Sequence, residues 1–279
     1  MTGNKMTDTG MAETATTRIG GGLAGAVAAE WTKFWSLRST WWGLAAAAGL
    51  QLGYSALLAL SLRAQYAAGS VSAAELSAPS VAAESVLYLT QLAVLTVASL
   101  TIASEYATGS IRSTLQWVPA RWRVPVAKCA VLMPVMFGAG VLFSASSIGL
   151  GTAVLGGKAP APDGGAVLGA VAGTGAYLAL LSALAIGVGT ALRSVAGSIA
   201  VTFALLLVAP LLLAGMGMTA AVDYLPGVAG LNLMVVDGQV NPMTSAPAPY
   251  GGAVALTITA AWAAVALLTG DRVLRTRDA

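Results

Sequence analysis

Long stretches of this chain carry no charge, and no other feature constrains its fold as strongly. Twenty-four residues separate Arg38 from Arg63, 20 separate Glu84 from Glu105, and 29 separate Lys128 from Lys158, Asp163 from Arg193 and Arg193 from Asp223. A last gap, Asp237 to Asp271, opens on a Pro-rich polar stretch and turns apolar from about Tyr250. A helix crossing hydrocarbon needs about 20 apolar residues, so each gap fits one crossing and none comfortably fits two. Lipid offers no hydrogen bonds to bare backbone, so these segments are expected to be helices, and no period-two alternation points to a barrel. Only 9% of the 279 residues are charged, too few to cover the surface of a soluble domain of this size. The expected fold is all-α and integral to the membrane, with spans at 40–62, 85–104, 126–155, 165–192, 195–217 and 250–270.

Six spans put both ends on one side. That side holds Lys5, Arg18, Lys33, Arg38, Arg112, Arg121, Arg123, Lys128, Arg193, Arg272, Arg275 and Arg277, whereas the other holds only Arg63 and Lys158. This 12-to-2 split predicts that both termini are cytoplasmic. Trp31, Trp35, Trp41, Trp42, Trp117 and Trp122 flank helices at the same boundary, where amphipathic rings prefer to sit. About forty mostly polar residues precede the first span, unlike an ordinary signal peptide. Residues 1–18 are expected to be disordered, with Met6 or Met11 as alternative starts, leaving 19–279 as a single six-helix domain. Within it, Leu23, Val27, Trp31 and Phe34 fall on one face of a helix over 19–36. That helix either lies in the membrane interface or extends the first span. Residues 218–249 are expected to form short helices packed into the outer membrane face. Gly169 and Gly173 form a G-x-x-x-G, which allows close helix approach but fixes no particular interface in a chain so rich in Gly and Ala.

Chemistry at the bond-making level finds little support. The chain has no His and a single cysteine, Cys129, which removes imidazole acid–base catalysis, His-liganded metals and any intramolecular disulfide. No G-x-S-x-G elbow occurs. Gly157-Lys158 has Thr152 and Ala159 where a phosphate-binding loop requires Gly and Ser or Thr, so this chain is not expected to bind ATP by that device. No cofactor or metal is expected, and a net charge of +3 distributed by membrane side does not indicate nucleic-acid binding. Cys129 beside Lys128 reads as a packing residue. Asp223 and Asp237 read as solvated loop charges, with contact to a cationic substrate near an exit as the sharper alternative.

The stretch from Ser104 to Lys128 is the most informative. After Glu105, residues Ala107, Ile111 and Leu115 recur every four positions, giving a short helix with one apolar stripe. Glu105 stands where a carboxylate would hold the helix start, and Gly109 offers a close approach or a bend. Arg112 and Thr108 lie off the stripe. The stripe fits either a groove on a soluble partner or the lipid surface, and the plain reading of Glu105 is a cap on a connecting turn.

The residues E-Y-A-T-G-S-I-R at 105–112, followed by Pro119, Arg121, Trp122, Arg123 and Lys128, resemble the loop after the second span in type-2 ATP-binding-cassette transporter permeases. E-W-T-K-F-W-S-L-R-S-T at 30–40, A-L-R-S-V-A-G-S at 191–198 and L-R-T-R-D-A at 274–279 are similar to segments of bacterial members, in the same order along the chain. The resemblance implies a six-helix permease subunit in the cytoplasmic membrane, with an elbow helix at 19–36 and a cytoplasmic coupling helix at 105–116. It implies a coupling site of Glu105, Gly109, Ile111, Arg112 and Leu115. It also implies assembly with a second permease copy or a homologue, and with two copies of a separate ATPase subunit that hydrolyses ATP. The transport direction expected is export. A non-transporting six-helix scaffold or sensor has the same shape, and an intramembrane enzyme is disfavoured by the empty spans.

Overall fold

Helix is the one backbone state that pairs nearly every N–H and C=O within a single segment, and in a medium without water the chain adopts it almost throughout. The structure, a computed structural model, describes residues 22–276 apart from 118–119, 162, 236–239 and 242–245; the side chains of Arg112, Leu115, Trp117, Val240 and Asn241 are likewise outside the described set. The expected disorder at 1–18 and the reading of Asp237 therefore lie outside the described residues.

Helix α1 spans Leu23–Ser36, and α2, the first crossing, spans Arg38–Ala67. The second crossing is compound. It comprises α3 (Ala78–Ser85), a π-helical turn over Val86–Thr90 and α4 (Gln91–Thr108). Short α5 (Ile111–Trp117) leads to α6 (Arg123–Leu155), the third crossing, and α7 (Gly164–Leu192) is the fourth. The fifth comprises α8 (Val195–Phe203), a second π turn (Ala204–Val208) and α9 (Ala209–Gly215). Then come α10 (Thr219–Val222), α11 (Pro226–Met234) and α12 (Gly252–Thr276), the sixth crossing. One two-residue antiparallel pairing, Val240–Asn241 with Ala246–Pro247, interrupts the last connection. Among the described residues six helices are long and apolar enough to cross a membrane, so the chain is an all-α, multi-pass membrane protein.

The second crossing starts at Ala78, seven residues earlier than the expected 85. The Ser77 side chain caps it by accepting from the Ser80 N–H, and Pro79 sits in the first turn, both strong start signals. Glu84 therefore lies inside the span and does not mark its end. Helix α1 is separated from α2 by Leu37 in extended conformation, so it is an independent helix and does not prolong the first span. It buries Phe34 and Ala26 against the bundle and leaves Trp31 exposed.

Helix α7 is the centre of the bundle, buried along most of its length and packed against α4, α6, α11 and α12. Small residues permit this. A Cβ on Gly140 of α6 would lie 2.8 Å from the Gly175 Cα of α7. Of the G-x-x-x-G pair, a Cβ on Gly173 would meet the Leu233 carbonyl of α11 at 2.1 Å, whereas Gly169 faces open space. Helix α11 is buried from Pro226 to Asn232 and reaches Tyr177 of α7, where a Cβ on Gly230 would lie 2.0 Å from the ring. The segment expected at the outer face is thus a wedge driven into the bundle.

Polar side chains tie the spans together where lipid would leave them unsatisfied. Gln51 Nε2 donates to the Ala82 carbonyl (3.1 Å) and to Ser147 Oγ (2.9 Å), and Thr90 Oγ1 donates to Gln51 Oε1 (2.6 Å). Ser55 contacts Ser85 (2.7 Å) and Ser147 (3.1 Å). Three crossings thereby meet in one fully buried cluster beside the first π turn. One turn on, the Tyr177 hydroxyl donates to Gln91 Oε1 at 2.5 Å.

Candidate functional site

The buried ion pairs among the described residues gather at the end of the bundle that carries most of the chain's basic residues. Glu105, in the last turn of α4, is 1% exposed. Its Oε1 accepts from Lys128 Nζ of α6 at 2.5 Å and also from Lys33 Nζ of α1. Lys128, 2% exposed, donates in addition to Glu30 Oε2 of α1 at 2.8 Å. Thr114 of α5 reaches Glu105 Oε2 at 3.4 Å. Two carboxylates and two ammonium groups balance to zero, which is the condition for holding charge where water is scarce. The cluster joins four elements: the entry helix, the end of the second crossing, the loop helix and the start of the third crossing. A cavity of about 280 Å³ opens beside it, lined by Ala26, Glu30, Lys33, Ser113, Thr114 and Val124.

The neighbouring residue extends the network. The Arg193 guanidinium lies 5.4 Å from the ring centre of Tyr106 and donates to the Val273 carbonyl at 3.5 Å. Arg121 donates to the Leu274 carbonyl at 3.0 Å. Cations from two different loops thus hold the last carbonyls of α12, where the helix dipole favours positive charge. Arg193 has φ +55°, the only non-glycine among the described residues in the left-handed region, and it closes α7 there.

This geometry revises the expected roles at 105–116. Glu105 does not cap the start of a loop helix. It sits in the last turn of the preceding one, and its carboxylate is spent on lysines 23 and 72 residues away in sequence. Gly109 makes no close approach, since a Cβ there would meet nothing within 4 Å; it terminates α4 at φ +72°, the conformation glycine adopts without penalty. The loop helix begins at Ile111. Ile111 is 3% exposed and packs with Ile102, Val124 and Tyr106, so it anchors the loop helix to its own bundle and cannot be part of an exposed docking face. The Arg112 and Leu115 side chains lie outside the described residues.

In sequence, Glu30, Lys33 and Lys128 are legible only as boundary charges. One signal is available there: Glu30 and Lys33 are three apart and so share a helix face. Cys129 is partly buried among apolar side chains, as a packing residue should be. Asp223 is no solvated loop charge. It is 9% exposed, its Oδ1 is buried without a partner among the described residues, and burial raises its carboxyl above the ordinary value of 3.8. Its backbone carbonyl accepts from the Tyr250 hydroxyl.

No protein-family model matches the chain, and no curated protein matches it significantly.

Proposed function

We propose that the chain is the membrane-spanning subunit of an ATP-binding-cassette transporter, probing the state of a separate ATPase through the loop between its second and third crossings. The observation that carries this reading is the neutral buried cluster Glu30–Lys128–Glu105–Lys33, with Thr114 attached. A rigid contact of this kind would pass a displacement of the loop helix directly to the entry helix and to two crossings. The order of the sequence segments resembling type-2 permeases supports the same assignment. The groove beside the cluster would receive the ATPase, and Gly109 would set the angle at which α5 meets it.

On this reading both termini and the cluster face the cytoplasm, in keeping with the 12-to-2 split of basic residues. Two copies of the chain, or one with a homologue, would assemble with two ATPase subunits in the cytoplasmic membrane, and export would be the direction. The chain would contribute no nucleotide chemistry of its own.

The test is affinity purification of the tagged chain from its native membranes, and then an ATPase assay of the purified assembly in nanodiscs. Stoichiometric capture and a hydrolysis rate that depends on this chain are expected. Glu105→Ala is expected to keep capture and to reduce that dependence. Capture of no ATPase, or hydrolysis by a clean preparation of this chain alone, would refute the assignment and leave a scaffold or sensor.

A further inference from the structure

Glu84 is a carboxylate inside a membrane crossing. It precedes Ser85, which contacts Ser55 of α2. Ser55 lies eight residues from Arg63, so Glu84 sits about 12 Å deeper than that boundary charge at about 1.5 Å per residue. It is partly exposed, next to the fully buried Ser85. No hydrogen bond or ion pair engages its carboxylate among the described residues. Tyr88 lies four residues further along the same crossing, and its ring packs edge-on against Tyr54 of α2 at 6.3 Å. Both tyrosines are partly exposed.

A carboxylate at such depth is costly unless something neutralises it, and such residues mark binding sites and pathways. Among the described residues the chain supplies no cation there. Arg63 donates to the Val154 carbonyl at 3.0 Å, and Lys158 lies over the Tyr66 ring at 5.6 Å. Every other Lys and Arg belongs to the opposite end of the spans or to the termini. A second copy of the chain would bring no cation to this depth either. Within this chain and a second copy of it, the neutralising group must therefore come from a ligand or from a proton.

An unpaired carboxylate four residues from Tyr88, whose ring packs edge-on against Tyr54, favours the ligand. Rings attract cations through their quadrupole, and a surrounding hydrocarbon surface accepts an apolar body. We propose that Glu84, Tyr54 and Tyr88 form a binding site for a monovalent organic cation with an apolar body. This gives the proposed transporter a substrate class, and it rests on that reading only for the steps after binding.

The probe is tetraphenylphosphonium, measured by equilibrium dialysis against the purified chain in uncharged detergent at pH 8. Tetraphenylborate, of nearly the same shape and opposite charge, is the control. Saturable binding of the phosphonium is expected, and no saturable binding of the borate when it is dialysed separately. Glu84→Gln should weaken it at least about tenfold, since it removes the one charged contact while keeping the shape. Tyr88→Ala should weaken it about three- to tenfold and Tyr88→Phe hardly at all, because the phenyl ring retains the quadrupole. Each variant is checked for a single symmetric elution peak, and Glu84→Gln removes a membrane charge, so misfolding is not its expected fault. Absence of saturable binding to the wild type, as a carboxyl that only holds a proton would give, overturns the proposal. Equal affinity in Glu84→Gln, or equal binding of the borate, overturns it as well. The assay needs no ATPase. Failure of the phosphonium to stimulate hydrolysis would count against transport while leaving a measured binding site in place.

Discussion

Replacing Lys128 by Met should be among the most damaging single changes in the protein. The methylene stem is kept, so the loss is electrostatic. Lys128 is the central cation of the cluster, 2.5 Å from Glu105 and 2.8 Å from Glu30. Without it Glu105, 1% exposed, keeps Thr114 and one cation, Lys33, whose side chain is 40% exposed. Stranding one partner of a buried pair costs about 3–5 kcal/mol. Glu105→Gln should cost less, about 1–3 kcal/mol, because Lys128 retains Glu30. Lys33→Ala should cost less than Lys128→Met, about 1–2 kcal/mol, because Lys33 is half-hydrated while Glu105 keeps Lys128. The double variant Lys128→Met with Glu105→Gln restores neutrality, and it should be more stable than Lys128→Met alone. The measurement is reversible unfolding in mixed micelles with increasing dodecyl sulfate, read by tryptophan fluorescence, as a double-mutant cycle. Strict additivity, or a loss below about 1 kcal/mol for Lys128→Met, would refute the claim that this charge is buried and coupled.

Ile111→Asp should lower folding stability and yield as well as partner binding, by about 3 kcal/mol or more in the unfolding assay, because it places a carboxylate among Ile102, Val124 and Tyr106. Gly109→Val should cost about 1–2 kcal/mol through its left-handed backbone, and it should reduce ATPase coupling more than ATPase capture. Burial raises the Asp223 carboxyl above 3.8, so the folded state holds its proton more tightly than the unfolded state does; stability should fall as pH rises from about 3.8 through the raised value, and Asp223→Asn should flatten that slope in unfolding titrations from pH 4 to 8. With Cys129→Ser as background, single cysteines at Ser72 and Ala246 should react with an impermeant thiol reagent on whole cells and Ser113→Cys should not; labelling of Ser113→Cys would invert the proposed orientation.

The six crossings are readable from the chain because membrane insertion is a local property. Each window of some twenty residues has its own transfer free energy between water and lipid, and charge gaps record it directly. The break at Leu37 is only half visible in sequence, since amphipathicity shows a face but not whether a helix continues. Charge spacing misplaces the start of the second crossing because it makes Glu84 the boundary. A charge inside a span looks the same in sequence as one at its edge, and the Ser77 cap and Pro79 are the better signal. Glu105 stands out in sequence as unusual, but its local context suggests the wrong task. That context offers free N–H groups nearby, whereas its partners come from helices 23 and 72 residues distant.

Those distant pairings are decided by helix rotation and crossing. Whether Lys128 points at Glu105 or at lipid depends on a few tens of degrees about the α6 axis, and that angle is fixed by close contacts such as Gly140 against Gly175. The same holds for Gln51, which a hydropathy profile counts as one unfavourable residue and the bundle turns into a knot joining three crossings. It holds for α11, too short to span and too apolar to be free, whose place between α7 and α12 comes from the missing side chains of Gly173 and Gly230. The sequence alone determined which segments enter the membrane, because that is a contest between chain and solvent. The tertiary structure decided which polar groups meet there and which, like Glu84, are left without a partner, because that is a contest among side chains for one another.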